Sequence, residues 1–106
     1  MYTRIAQCTI KPGRKPEFSK ALHEVILPQL TQQSGLVDAV ELFEDTDPSQ
    51  FASITFWQTK EQADTYGREL FPRFKALLDP LTYNFVVNSF NVETSTMHRI
   101  AAGKAA

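Results

Sequence analysis

The sequence predicts an α+β protein with a ferredoxin-like βαββαβ order, in which two helices cover one face of a four-stranded antiparallel sheet. Segments rich in β-branched and aromatic residues alternate with segments whose apolar residues recur at helical spacing. Turn-forming Pro, Gly, Asp and Ser separate these segments. The chain has 106 residues, so a single domain that buries about two-thirds of its surface accommodates all six elements.

The first strand is predicted over residues 2–10, where β-branched residues recur. It places Arg4 and Ala6 on one face of the sheet and Ile5 and Gln7 on the other. Neither face is purely polar, so we expect both to be covered. A Lys-Pro-Gly turn closes the strand.

The first helix is predicted to begin near Pro16, because proline suits the first helical turn. Pro28 is expected to kink this helix or to end its regular part. Gly35 is the expected stop, since glycine adopts the left-handed conformation readily. Helical spacing predicts one buried stripe, with Ile26 on its flank, made of Phe18, Ala21, Leu22, Val25 and Gln29.

The second and third strands are predicted over residues 37–44 and 51–58, on either side of a turn-rich segment at 45–49. Thr59 is the predicted N-cap of the second helix. Gln62, three residues later, is its expected capping-box partner.

The second helix has the most regular pattern in the chain. Pro72 is expected to break it into two pieces, and Tyr66 falls at the edge of its apolar face. A fourth strand follows at residues 83–92. The face predicted to point inward is formed by Ala63, Gly67, Leu70, Phe74, Leu77 and Leu78.

The predicted sheet has one face without helices, and an apolar sheet face of this kind is an interaction surface. Eight of the twelve aromatic residues are Phe, a surplus for a small monomer. We therefore expect a homodimer whose sheets pack face to face and form a dimeric α/β barrel. Residues 1–92 would be the barrel protomer, and residues 93–106 a C-terminal tail packed on the partner subunit. The bare face would carry some of Ile5, Phe43, Phe56 and Phe90.

Composition excludes several classes of function. The net charge is −1 and the basic residues form no block, which argues against nucleic acid as a partner. The chain has one cysteine and no long apolar run, so we expect no disulfide, no signal peptide, no membrane association and a cytoplasmic location. There is no phosphate loop or nucleotide fingerprint, and the two histidines lack metal-ligand spacing. We therefore expect no cofactor and no metal.

Four local features carry a family resemblance, over roughly residues 2–92: Lys11-Pro12-Gly13 with Glu17-Phe18, Ser34-Gly35-Leu36, Phe56-Trp57 before Thr59-Lys60-Glu61-Gln62-Ala63, and Pro72-Arg73-Phe74. In this order they resemble the antibiotic biosynthesis monooxygenase family. The resemblance implies a dimeric α/β barrel. It also implies one of several activities: oxygenation of polyketide quinones without a cofactor, haem degradation, or isomerisation of a signalling molecule. Many members of the family have no assigned activity.

The resemblance also argues against haem degradation. The haem-degrading relatives carry an Asn, a Trp and a His at positions that fall near Ala6, Tyr66 and Ala76 here, and none matches. Many other members carry a His nine residues after the tryptophan of strand three. That position is Tyr66, or Arg68 if the alignment slips by two residues, so the family His is missing.

Tyr66 and Asn88 are the candidate catalytic residues. Tyr66 would donate or relay a proton, or else be an edge residue with its hydroxyl in water. Asn88 would hydrogen-bond an enolate, or else line the barrel, on a strand where Asn is disfavoured. Trp57 would form an aromatic wall for a planar substrate. Its alternative role is that of a packed hinge residue that anchors the second helix. Phe74 would line the same pocket.

Arg73 and His23 are the remaining candidate binding residues, each with a solvated surface position as the alternative. The leading hypothesis is cofactor-independent oxygenation of an aromatic or polyketide-type small molecule between sheet and helices. The alternative is a non-catalytic small-molecule-binding or stress-associated dimer of the same fold. A third hypothesis is an isomerase, which would require a base and an anion clamp to converge, for example His23 with Arg73.

Overall fold

Four strands form one antiparallel sheet in a computed structural model, which describes residues 1–96. The strand order is β2-β3-β1-β4, which confirms the predicted ferredoxin-like arrangement. The predicted strands are present, with ends shifted by one residue in three of them. The tail from residue 97 onward lies outside the described residues. The strands are β1 (Tyr2–Ile10), β2 (Leu36–Phe43), β3 (Gln50–Trp57) and β4 (Thr82–Asn91).

Two helical segments connect the strands and cover one face of the sheet. The first consists of α1 (Lys15–Ala21), a π-helical turn (Leu22–Ile26) and α2 (Leu27–Leu30). The second consists of α3 (Lys60–Glu69) and α4 (Phe71–Leu78), followed by a short 3₁₀ turn. No helix in the described part of the chain is long and apolar enough to cross a membrane.

The π-helical turn corrects the predicted buried stripe of the first helix. Val25 is 40% exposed and Gln29 is exposed, whereas Leu22, Ile26 and Leu30 are buried. A π turn holds one more residue than an α turn. The inward face therefore advances by one position after Leu22, and the buried residues recur at intervals of four.

The predicted N-cap and internal break of the second helical segment are confirmed, but the capping box is incomplete, because the Gln62 side-chain oxygen accepts no hydrogen bond from the described residues. Thr59 caps α3, and its hydroxyl accepts a hydrogen bond from the backbone N–H of Gln62 at 3.1 Å. Pro72 lies in the first turn of α4. Backbone N–H groups in a first turn have no acceptor within the helix, so a proline, which lacks the N–H, is tolerated there. Leu77, predicted to point inward, is 41% exposed.

The core lies between the helices and the sheet. Phe18 and Trp57 are fully buried, and Phe18 packs edge-to-face on Phe51 with 4.7 Å between ring centroids. Cys8 is a small buried core residue, and burial raises the pKa of its thiol to about 11.

No helix formed by residues 1–96 covers the opposite face of the sheet. Directly opposed residues in an antiparallel pair lie on the same face, and Thr3 opposes both Phe56 and Phe90. Phe90 is 51% exposed. Phe43 is not on this face, because it opposes the buried Phe51 and contacts its ring at 5.3 Å.

Candidate functional site

A mostly apolar cavity lies between the helices and the sheet. The centres of water molecules can occupy about 40 Å³ inside it. This is room for a few waters. Three ionisable side chains interrupt the apolar lining: Arg4, Glu41 and Tyr66. The apolar lining comes from both layers and includes Leu22, Ile26, Phe51, Phe71, Phe74 and Phe85.

Arg4 enters the cavity from β1. Its Cζ atom lies 5.5 Å from the ring centroid of Tyr66 and 5.0 Å from that of Phe71, so two aromatic rings hold the guanidinium by cation–π contact. The ion pairs found among the described residues join other side chains. Arg4 therefore brings a positive charge that no carboxylate in this part of the chain neutralises.

Glu41 enters the cavity from β2. It is directly opposite Ser53 of β3. Both of its carboxylate oxygens are buried, and neither accepts a hydrogen bond of ordinary length from the described residues. Burial raises the pKa of the Glu41 carboxyl, and the Ser53 hydroxyl and the charge of His23 partly offset this rise. A carboxyl of this kind accepts a proton more readily at neutral pH than an ordinary glutamate does.

Tyr66 connects these two groups. Burial raises the pKa of its phenol; the charge of Arg4 lowers the pKa, and that of Glu41 raises it. Both charged side chains are thus close enough to act on the Tyr66 phenol. Tyr66 is 6% exposed and stacks on Trp57, with 4.9 Å between ring centroids, so its ring is held in place and its phenol stays protonated at neutral pH.

The structure brings two of the predicted site residues to the cavity. Tyr66 and Phe74 both line it. Tyr66 is not the water-facing edge residue considered as its alternative. Trp57 lies one layer behind Tyr66, fully buried, and its indole N–H donates to the Thr55 hydroxyl at 2.8 Å. It supports the cavity wall rather than forming it.

The other predicted site residues lie elsewhere. Asn88 is exposed and opposes Ile5 on the face of the sheet that carries no helix, so the sheet separates it from Tyr66. Arg73 and His23 are exposed on the helices, and His23 Nδ1 lies 2.9 Å from the backbone carbonyl of Ser19. Neither residue lines the cavity.

Sequence reasoning missed Glu41, and for Arg4 it favoured a surface position over the alternative that Arg4 holds an anionic substrate. A signal existed for both. Arg4 alternates with Ala6 and Cys8 on one face of β1, and Glu41 alternates with Ala39 and Phe43 on β2. A charged residue within an inward-facing row of a strand is the pattern to search for, because burial of an unpaired charge is unfavourable without a functional reason.

The chain matches one family model. The model is described as antibiotic biosynthesis monooxygenase, and it covers residues 1–77. No curated protein matches the chain.

Several solved structures have the same fold. A Deinococcus radiodurans protein assigned provisionally to the antibiotic biosynthesis monooxygenases has a TM-score of 0.80 at 11% identity, over 91% of this chain and 96% of that one. A variant of SnoaB, a cofactor-independent oxygenase from Streptomyces nogalater, has a TM-score of 0.76 at 15% identity, over 92% and 97%. A variant of MhuD with manganese protoporphyrin IX bound has a TM-score of 0.73 at 14% identity, over 91% and 98%. At these identities the likeness concerns the fold.

Proposed function

The chain belongs to the antibiotic biosynthesis monooxygenase family, and from this premise we propose that its cavity binds a small aromatic molecule and oxygenates it without a cofactor. The observation that carries this proposal is Glu41, whose buried carboxylate accepts no hydrogen bond of ordinary length from the described residues and lines an aromatic cavity together with Tyr66. The similarity in fold to SnoaB, a cofactor-independent oxygenase, supports the same class of reaction.

The chemistry begins with a proton transfer. A hydroxylated polycyclic substrate such as an anthrone has an acidic CH₂ group, and Glu41 is the base that takes a proton from it. The raised pKa of the Glu41 carboxyl makes it a better base at neutral pH. The enolate oxygen then carries negative charge. The Tyr66 hydroxyl, which stays protonated because burial raises its pKa, donates a hydrogen bond to that oxygen.

The substrate itself supplies all the electrons. The enolate transfers one electron to O₂, and the resulting radical and superoxide combine at the ring carbon to give a peroxide anion. This anion takes back the proton held by Glu41. The hydroperoxide then loses water and leaves a carbonyl in place of the CH₂ group, so one oxygen atom enters the product and the other leaves as water.

Substrate entry requires the cavity to widen. A space that admits only a few waters is too small for a polycyclic substrate, so side chains at its open side must move. Phe85 is a half-buried residue of the lining that can do so. We expect the buried floor, with Phe51 and Phe74, to keep its position.

The test is oxygen uptake by metal-free protein with a panel of anthrones. We expect Glu41→Gln to lower the rate about 100-fold or more, the usual contribution of a general base. Tyr66→Phe should lower it about 10-fold to 100-fold. Glu24→Gln, which removes an exposed carboxylate, is the matched control and should match the wild type. Uptake by Glu41→Gln at the wild-type rate would contradict the proposal, as would no uptake by the wild type across the panel.

The alternative function is a non-catalytic dimer that binds small molecules. It is favoured by the absence of the family His, whose expected position is occupied by Tyr66, packed against Trp57. A cavity without inward polar groups would also have favoured it, but Arg4, Glu41 and Tyr66 all face inward. This function predicts binding of the anthrones without consumption of O₂, which the same experiment measures.

We propose further that two copies of the chain pair through the open face of the sheet. Leu42, Val86 and Phe90 are between 45% and 51% exposed, although such side chains are usually buried. Light scattering should give twice the chain mass of 12.0 kDa. Phe90→Asp should shift the mass toward that of the monomer, and a wild-type protein that is monomeric at micromolar concentration would refute the pairing.

A further inference from the structure

Gly67 occupies the interior of α3, where alanine is normally favoured. Its position has a specific neighbour. A Cβ atom at Gly67 would lie 2.6 Å from Nη1 of Arg4 and 3.1 Å from its Cζ, closer than atoms in contact can approach. The guanidinium therefore occupies the space that a side chain at position 67 would take. Among the twenty residues only glycine leaves this space open without moving Arg4.

Contacts from three sides hold the Arg4 guanidinium, but no carboxylate of a described residue pairs with its charge. The rings of Tyr66 and Phe71 contact the guanidinium, and the backbone of α3 approaches it at Gly67. The cation–π contacts involve no carboxylate, and none of the ion pairs between described residues involves Arg4. Its planar fork of N–H donors suits a carboxylate that no described residue provides.

Glu41 is too far away to be that partner. The two residues lie two strands apart and in adjacent rows of the sheet, so sheet geometry separates their Cα atoms by roughly 12 Å. Ser53 and Thr55 of β3 face the cavity between them. A planar molecule lying over these two residues would place one end at Arg4 and the other at Glu41.

We propose that the substrate is an aromatic acid, a planar ring system whose carboxylate binds Arg4, and that Gly67 is the positioning residue that admits the Arg4 guanidinium to the cavity. This inference rests on the proposed function, since it names the substrate class of the same cavity. It assigns binding and orientation to Arg4, while Glu41 and Tyr66 act at the other end of the substrate, where the chemistry takes place.

The test compares two probes of nearly equal shape, 2-naphthoate and its neutral amide 2-naphthamide, by titration calorimetry with the intact chain. We expect the wild type to bind the naphthoate at least 10-fold more tightly. Arg4→Gln should remove this preference. Gly67→Ala should reduce the affinity for naphthoate about 10-fold and leave that for naphthamide unchanged, with a melting temperature at or above that of the wild type. Arg68→Gln, at an exposed arginine, should keep the full preference.

The outcomes separate this inference from the proposed function. Equal wild-type affinity for the two probes would overturn the carboxylate site and leave an aromatic cavity intact. If Arg4→Gln still bound naphthoate more tightly than naphthamide, the role of Arg4 would be overturned. If Gly67→Ala bound naphthoate as tightly as the wild type does, the role of Gly67 would be overturned. If the wild type bound neither probe, the aromatic cavity of the proposed function would fail as well.

Discussion

Glu41→Gln should make the protein more stable while it removes the proposed activity. Both oxygens of the Glu41 carboxylate are buried and accept no hydrogen bond of ordinary length from the described residues, and a buried charge is unfavourable when nothing pairs with it. The amide has nearly the same shape and no charge. We expect the free energy of unfolding to rise by on the order of 1 kcal/mol at pH 7, the usual gain when a strained functional group is removed. For a chain of this length that is about 4 °C in melting temperature.

The gain in the free energy of unfolding of Glu41→Gln should depend on pH in a defined direction. Burial raises the pKa of the Glu41 carboxyl in the folded state above its unfolded value, so the folded protein holds this proton more tightly than the unfolded chain does. The stability that Glu41 contributes is therefore present below its unfolded pKa, about 4.3, and is lost as the pH rises through its higher folded value. The advantage of Glu41→Gln should thus be small near pH 4 and full at pH 7.

Urea unfolding at several pH values measures this difference. Trp57 is the single tryptophan of the chain and is fully buried, so its fluorescence reports unfolding. The protein concentration must be held constant, because association adds to apparent stability. Glu24→Gln is the control and should show no such gain. A Glu41→Gln variant that is less stable than the wild type at pH 7, or a gain that is the same at every pH, would refute the reasoning.

Three further predictions concern the fold and use the same unfolding measurement. Gly35→Ala should lower the free energy of unfolding by about 1–2 kcal/mol, because φ is +86° at this position and a Cβ would clash with the Gln62 side chain; a loss below 0.5 kcal/mol would contradict this. Phe18→Ala should lower it by about 3–5 kcal/mol, since Phe18 is fully buried against Phe51; a change under 2 kcal/mol would show that the cavity collapses. Thr59→Ala should lower it by about 1 kcal/mol through loss of the helix cap, and Thr59→Ser should restore most of that loss.

Local sequence signals predicted the parts of the fold that depend on neighbours along the chain. Alternation in β1 separates Arg4 and Ala6 from Ile5 and Gln7, and the register of the sheet confirms this. The capping pair at Thr59 and the break before Pro72 follow from backbone groups within one helical turn. Such signals act over a few residues, so they need no knowledge of the rest of the chain.

The same alternation could have placed Asn88 correctly. Asn88 and Phe90 are two residues apart on one strand and therefore share a face. Phe90 was expected on the bare face of the sheet, so Asn88 belongs there too, opposite Ile5. Asn84, also on β4, has φ of 57° beside an irregularity in the strand register. Asparagine tolerates this left-handed conformation better than most residues, so its presence there has a structural cause.

The candidate site itself depended on tertiary structure. The π-helical turn shifts the inward face of the first helix to Leu22 and Ile26, and no local pattern predicted that extra residue. Arg4 and Glu41 are 37 positions apart in the chain, and two strand pairings bring them to one cavity. Sequence by itself determined which residues of β1 share a face, because the strand period is local. Only the packing of helices on the sheet decided which residues lose contact with water, and this desolvation gives Glu41 and Tyr66 their altered pKa values.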